Sequence, residues 1–236
     1  IERAYDSVIH PILWKRCIDV GIGGRFLSTL QALYDNASAV LEVNGEVMSQ
    51  PVPIECGVLQ GNPLSPLLFN IYFDEVVRST NALGSFRQTP LGVPLPRKHM
   101  LEALKTKLKS LGQDDYLSSL WFADDGVLLS FSKADLELQL LIINTVLECF
   151  GLKLNVKKTK WMYVPPASTD ETAYRAEIQK LLEHPLLVHG SPVELVDEFP
   201  YLGCTIWWRW DWSRAWAEAR SRASYALHRR SEEHTS

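Results

Sequence analysis

The chain has 236 residues, is 46% apolar and carries a formal net charge of −4. That length allows one large domain, or one domain with a subdomain, and the apolar share is that of a globular protein. No apolar run is long enough to cross a bilayer, and the net acidity argues against a nucleic-acid-binding surface spread over the whole chain.

Taken in chain order, Ile9 to Ile18 and Arg25 to Tyr34 read as helices separated at Gly21-Ile22-Gly23-Gly24. Asn44-Gly45 predicts a hairpin over Ala39 to Pro53. Ser65 is the expected N-cap of the next helix and Pro66 its first residue. Leu67, Leu68, Ile71, Tyr72 and Val76 then repeat at helical spacing and carry that helix to about Ser79. Asn81 to Pro96 is rich in Gly and Pro, with Leu91 to Pro96 a loop, and Lys98 to Leu111 is a weaker helix. Leu120 to Ala123 and Val127 to Phe131 are β-prone runs around Asp124-Asp125-Gly126, in which Asp-Gly signals a tight turn. Ser132 caps a helix through Cys149, Asp135 completes the capping box and Gly151 ends the helix. A strand lies within Val156 to Pro165, a helix spans Asp170 to Glu183, and short strands follow up to Ile206. Helices alternating with antiparallel hairpins predict an α+β fold, with a sheet covered on one face.

The chemistry-bearing feature is the pair Asp124-Asp125 at the tip of an otherwise apolar hairpin. Adjacent carboxylates repel, and a hard divalent cation reverses that cost by favouring ionised oxygen ligands. A solvated turn is the bland alternative, since Asp is common in turns. Upstream, Gly57 to Gly61 can bring backbone close to a flat ligand, because Gly has no Cβ. Cys17, Cys56, Cys149 and Cys204 show no Cys-x-x-Cys spacing and suit a reducing compartment, with buried thiols the default. The six His form no ligand pattern. Basic residues gather at Lys153, Lys157, Lys158 and Lys160, at Arg97 to Lys109 and at Arg209 to Arg229. A local basic groove binds phosphates even on an acidic domain. Trp208, Trp212 and Trp216 recur every four residues, as one helix face would, and core packing is favoured there over a stacking platform.

Five segments in order resemble the palm of a reverse transcriptase, in particular the type in retroelements without long terminal repeats. Ile1 to Val8 looks like the tail of the first palm motif, and Gly57 to Pro66 like the nucleotide-binding segment. Phe122-Ala123-Asp124-Asp125 is similar to the catalytic hairpin. Gly151 to Asn155 with Lys157 to Lys160 resembles the fourth motif, and Phe199 to Gly203 the primer-grip hairpin. The resemblance implies a polymerase palm of split βαββαβ type over residues 1–206 with partial fingers, and the start of a truncated thumb over 207–229. Residues 230–236 match a translated sequencing-adapter read and are set aside from fold reasoning.

The implied activity is RNA-directed DNA polymerisation, transferring dNTPs to a primer 3′-hydroxyl with two Mg²⁺ ions, Mn²⁺ being the alternative ion. Asp124 and Asp125 become the metal ligands and catalytic residues. Tyr5, Gln60, Gly61, Pro63 and Lys158 contact the nucleotide, with Tyr5 the gate against ribose. Tyr201, Leu202 and Gly203 grip the primer. The implied partners are an RNA template, a DNA primer and dNTP, with no membrane, inside the cell in nucleus or cytoplasm. The family's remaining metal-ligating Asp normally stands immediately before the residue aligned with Ile1. On that reading the chain is a fragment, inactive as it stands. The alternatives are a non-catalytic nucleic-acid-binding relative and, with less support, an RNA-templated RNA polymerase or a nucleotidyl cyclase.

Overall fold

The computed structural model describes residues 1–40, 42–47, 50–84, 91–94, 116–209, 216–217 and 220–221. The chain divides into two compact units, Ile1–Asn155 and Val156–Ser236, a division that falls inside the stretch 1–206. The fold is α+β: helices interleaved with short hairpins, most of them antiparallel pairs.

In the first unit a 3-10 turn, Tyr5–Ser7, leads into α1 (His10–Asp19) and α2 (Gly24–Asp35). Next come β1 (Ser38–Ala39), β2 (Glu42–Val43), β3 (Glu46–Val47) and β4 (Val52–Pro53). Strand β2 pairs with β3 around Asn44-Gly45, both at positive φ as a type I′ turn requires, and β1 pairs with β4 outside them. Helix α3 (Ser65–Gly84) follows, then β5 (Val93–Pro94), β6 (Tyr116–Leu117), β7 (Ser119–Phe122), β8 (Asp125–Leu128) and α4 (Lys133–Cys149). The described core of this unit is a cluster fed by α1, α2, α3 and α4. Leu68, Phe69, Tyr72, Phe73 and Val76 of α3 are buried, the stripe that helical periodicity dictates. The Tyr72 hydroxyl donates to the Phe150 carbonyl at 2.6 Å and accepts from the Ile9 amide at 3.4 Å, so one side chain of α3 ties the end of α4 to the start of α1. Burial raises the pKa of that hydroxyl, and the bond from Ile9 opposes the rise.

The ends of α4 follow from its sequence. The Ser132 hydroxyl accepts from the Asp135 amide at 3.1 Å and donates to the Asp135 carboxylate at 2.8 Å. At the other end Gly151 sits at φ +67°. Its amide donates to Glu148 at 3.0 Å and the Leu152 amide to Leu147 at 2.8 Å, the paired bonds of a Schellman motif.

The second unit holds β9 (Lys160–Trp161), α5 (Glu171–Glu183), β10 (Leu186–Val188), β11 (Ser191–Leu195), β12 (Glu198–Tyr201) and β13 (Cys204–Trp207). Strand β11 pairs with β10 antiparallel and with β9 parallel. Its core is built on Tyr174, which stacks on Trp208 with ring centroids 3.8 Å apart and planes 4° apart. The Tyr174 hydroxyl donates to Asp197 at 2.8 Å, and Arg175 donates to the other carboxylate oxygen at 2.5 Å.

Several expectations are corrected. Ser65 is the first residue of α3, not its cap: the Leu64 carbonyl accepts the first helical bond, and the Ser65 hydroxyl donates to Leu59 instead. Helix α3 runs past Ser79 to Gly84, because Val76 continues the buried stripe and Thr80 back-bonds to it. Val93–Pro94, expected as loop, is a strand paired with Tyr116–Leu117. Buried thiols hold only for Cys17: Cys56, Cys149 and Cys204 are exposed, and all four are free. Trp208 is core, but in a turn after β13 rather than on a helix face, and Trp216 is 69% exposed. The Lys98 to Leu111 helix, Trp212 and the segment Arg97 to Lys109 lie outside the described residues. No described helix is long and apolar enough to cross a membrane.

Burial pushes the Asp197 carboxyl up, but the bonds from Arg175 and Tyr174 and the Arg175 charge outweigh it and hold the pKa below the ordinary value. Burial first, then the bond to Asp197 and its charge, raise the Tyr174 hydroxyl well above the tyrosine range. A lowered carboxylate contributes stability above its unfolded pKa and loses it as pH falls through the folded one; a raised tyrosine loses its share as pH rises beyond its unfolded value. Protection of the α5 amides in hydrogen exchange should therefore weaken below about pH 4 and above about pH 10. Asp197→Asn should flatten the acid limb, and Tyr174→Phe should cost about 1 kcal/mol.

Candidate active site

The hairpin carrying the acidic pair forms, but its turn is not the expected one. Phe122 pairs with Asp125 and Trp121 with Gly126, so Ala123-Asp124 is the two-residue turn and Asp125-Gly126 begins the returning strand. The positive φ falls on Ala123, at +51°. The shift has a steric cause. A Cβ at position 126 would lie 2.1 Å from the Trp121 ring, so the glycine makes room for the indole instead of turning the chain. Asp124 is half-buried and Asp125 exposed. Among the described residues neither carboxylate has an ion pair or hydrogen bond, which leaves their oxygens available as hard donors. The amino nitrogen of Ile1 lies 3.4 Å from the Asp124 carbonyl oxygen, and Glu2 bridges to Lys153, so the start of the chain runs beside the hairpin. No group of three or more His, Cys, Asp or Glu converges into a metal site among the described residues.

The Gly57 to Gly61 loop is built against the 3-10 turn. The Gly57 amide donates to the Val8 carbonyl at 2.8 Å and the Val58 amide to the Tyr5 carbonyl at 2.7 Å. Gly57 has φ +90°, and a Cβ there would meet the Asp6 backbone at 2.9 Å. The exposed Gln60 donates to the Asp6 carboxylate at 3.3 Å. Asn62 accepts from the Leu64 amide at 2.9 Å, an Asx turn that launches α3. Gly61, at φ +82°, and Pro63 are exposed. Tyr5 lies flat on Phe69, centroids 4.8 Å apart and planes at 11°. Phe69 stacks on Phe73 at 5.6 Å, and Phe73 meets the Trp121 edge at 5.0 Å. Three aromatic contacts along one helix thus connect Tyr5 to the hairpin of Asp124 and Asp125. Each is worth about 0.5–1.5 kcal/mol beyond its burial.

The remaining expected residues stand in the second unit. Lys158 is exposed in the turn before β9, where Lys160 pairs with Glu194. Tyr201, Leu202 and Gly203 form the tip of the β12–β13 hairpin, with Leu202 at φ +47° and Gly203 at φ +79°, a type I′ turn. Sequence reasoning missed Asp6, whose carboxylate steadies Gln60, and Trp121, whose ring sets the hairpin register. The signal for Trp121 was Gly126 five residues downstream in a strand, where a glycine marks a close approach.

A family profile for reverse transcriptase (RNA-dependent DNA polymerase) matches residues 1–206. The chain belongs to the reverse transcriptase family. It is 32% identical over 162 residues to a retrovirus-related Pol polyprotein from type-1 retrotransposable element R2 of Popillia japonica, covering 67% of this chain and 22% of that protein. It is 28% identical over 160 residues to the Pol polyprotein from type-2 retrotransposable element R2DM of Drosophila melanogaster, covering 67% and 13%. Against an R2 polyprotein of Bradysia coprophila the figures are 22% over 206 residues, 86% and 20%. The reverse transcriptase segment thus spans less than a quarter of the length of each of these relatives.

The hairpin of this reverse transcriptase segment supplies two opposed tests. Gly126→Ala must expel the Trp121 ring from its place beside Phe73, and urea unfolding should record a loss of about 1–3 kcal/mol. Ala123→Gly removes an αL cost of about 1–2 kcal/mol and adds a glycine entropy cost of about 0.5–1, so it should leave stability unchanged or raise it slightly.

Proposed function

We propose that this chain is the palm of an RNA-directed DNA polymerase that adds dNTPs to a DNA primer on an RNA template. The observation that carries the proposal is the aromatic chain Tyr5–Phe69–Phe73–Trp121, which links the turn that holds the Gly57 to Gly61 loop to the hairpin that bears Asp124 and Asp125, whose carboxylates have no partner among the described residues. Two carboxylates, one on a turn with Ala123 at positive φ and one on the first residue of the returning strand, both without a partner among the described residues, fit a hard divalent cation by donor type. Asp124 and Asp125 would hold Mg²⁺ or Mn²⁺ in the family's two-ion arrangement. Bound there, the ions would lower the pKa of the primer 3′-hydroxyl and neutralise the triphosphate. In a longer protein the residue before Ile1 would emerge beside Asp124, since the Ile1 nitrogen already lies there. That position suits a third carboxylate.

The chain's own groups take the other roles. Tyr5, clamped flat on Phe69, offers a rigid ring under the sugar and would exclude a 2′-hydroxyl. Gln60, steadied by Asp6, Gly61 with its backbone open to approach, and Pro63 would line the base pocket. Lys158 would meet the phosphates, and the Tyr201-Leu202-Gly203 tip would hold the primer strand. Residues 207–229 would begin the thumb. A non-catalytic relative has no physical need for two unpaired acids on a hairpin tip, which weighs against that alternative.

Three measurements test the proposal. The 236-residue chain alone, with its two-carboxylate site, should not extend a DNA primer on an RNA template in Mg²⁺. In the full-length polymerase carrying this segment, Asp124→Asn should cost at least about a thousandfold in extension rate, the scale of a lost metal ligand. Tyr5→Ala should raise ribonucleotide incorporation relative to deoxynucleotide. Normal extension by the Asp124→Asn enzyme would reject the assignment.

A further inference from the structure

His10, three residues after the 3-10 turn, is 8% exposed and begins α1. Its ring is held by Trp14 at 5.8 Å and by the Tyr34 edge at 5.2 Å, and those two rings meet each other at 5.4 Å. The His10 Nε2 lies 2.7 Å from the Gly57 carbonyl oxygen. A carbonyl only accepts, so Nε2 carries the hydrogen and donates it. The other polar group of Gly57, its amide, is taken by the Val8 carbonyl at 2.8 Å. Both backbone groups of Gly57 are thus fixed by residues 8 and 10, at a glycine whose positive φ and close contact with the Asp6 backbone disfavour any side chain. Gly57 stands at the bend between β4 and the loop to Gln60 and Gly61.

We infer that His10 is a positioning residue for nucleotide binding: its buried imidazole pins the Gly57 carbonyl and so fixes the orientation of the Gly57 to Gly61 loop. The inference rests on the reading that this loop lines the nucleotide pocket. His10 touches no substrate and acts through Gly57. A merely packed histidine would need only its ring volume, whereas this one spends its donor on the loop.

The test uses the full-length polymerase carrying this segment. His10→Phe keeps an aromatic ring among Trp14 and Tyr34 and removes the donor, leaving a buried carbonyl unsatisfied. The KM for dNTP should rise about tenfold with kcat changed less than about threefold, the scale of one lost buried hydrogen bond. Hydrogen exchange of the Gly57 and Val58 amides should accelerate at least about tenfold while the α4 amides stay protected. His10→Gln, whose amide nitrogen can occupy the place of Nε2, should recover most of the KM. His10→Leu repeats the test should the phenyl ring fail to pack. Unchanged exchange at Gly57 and Val58 in both variants overturns the tether. Faster exchange with an unchanged KM overturns the role in nucleotide binding. Joint loss of kcat, KM and α4 protection that Gln does not rescue overturns it too, because that is the signature of packing alone. Full activity in Asp124→Asn is a separate failure, of the polymerase reading, and is independent of the exchange result.

Discussion

The site depends on one face of α3. Phe69 and Phe73 are four residues apart, so they stand one above the other on the same side of the helix. One carries Tyr5 and the other carries Trp121. The elements joined this way are more than a hundred residues apart in sequence, and no hydrogen-bonded ladder among the described strands joins them. Tyr72, on the same helix, ties α1 to the end of α4 through one hydroxyl. The helix that fills the core is therefore also the ruler that spaces the candidate catalytic groups.

Charge plays a smaller part in holding this shape. Arg16 of α1 reaches Asp74 and Glu75 of α3 at 3.6 and 3.0 Å, the ion pairs that bridge those helices. Most other pairs are exposed and local, of the kind worth less than about 1 kcal/mol. Among the described residues Asp124 and Asp125 take no part in any of them. Their freedom is what a fold would sacrifice first if the positions served stability alone.

Much of this was legible in the chain. The capping pattern at Ser132 and Asp135, the terminating Gly151 and the Asn44-Gly45 turn each act through neighbours within a few residues, so local chemistry specified them. The acidic pair and the Gly57 to Gly61 loop were singled out by the ordered resemblance to the family's motifs, which local chemistry alone left open. What escaped was decided at long range. The hairpin turn moved off Asp-Gly because of the Trp121 ring across the ladder, a cross-strand effect that turn statistics do not contain. Ser65 gave its hydroxyl to Leu59 because the loop folds back over the start of α3. The spacing of Trp208 and Trp216 suggested a helix, yet Trp208 follows a strand and packs on Tyr174, thirty-four positions earlier. The link from His10 to Gly57 spans forty-seven positions and had no sequence signature at all.

The indole at position 121 and the bare backbone at position 126 occupy the same space. Neither can drift alone over evolutionary time. A lineage that shrinks the indole frees its cross-strand neighbour to acquire a side chain, and one that keeps it locks that neighbour to the smallest residue. The two columns should covary across descendants of this gene, and the carboxylates between them inherit a backbone whose shape is set by that pairing rather than by their own identity.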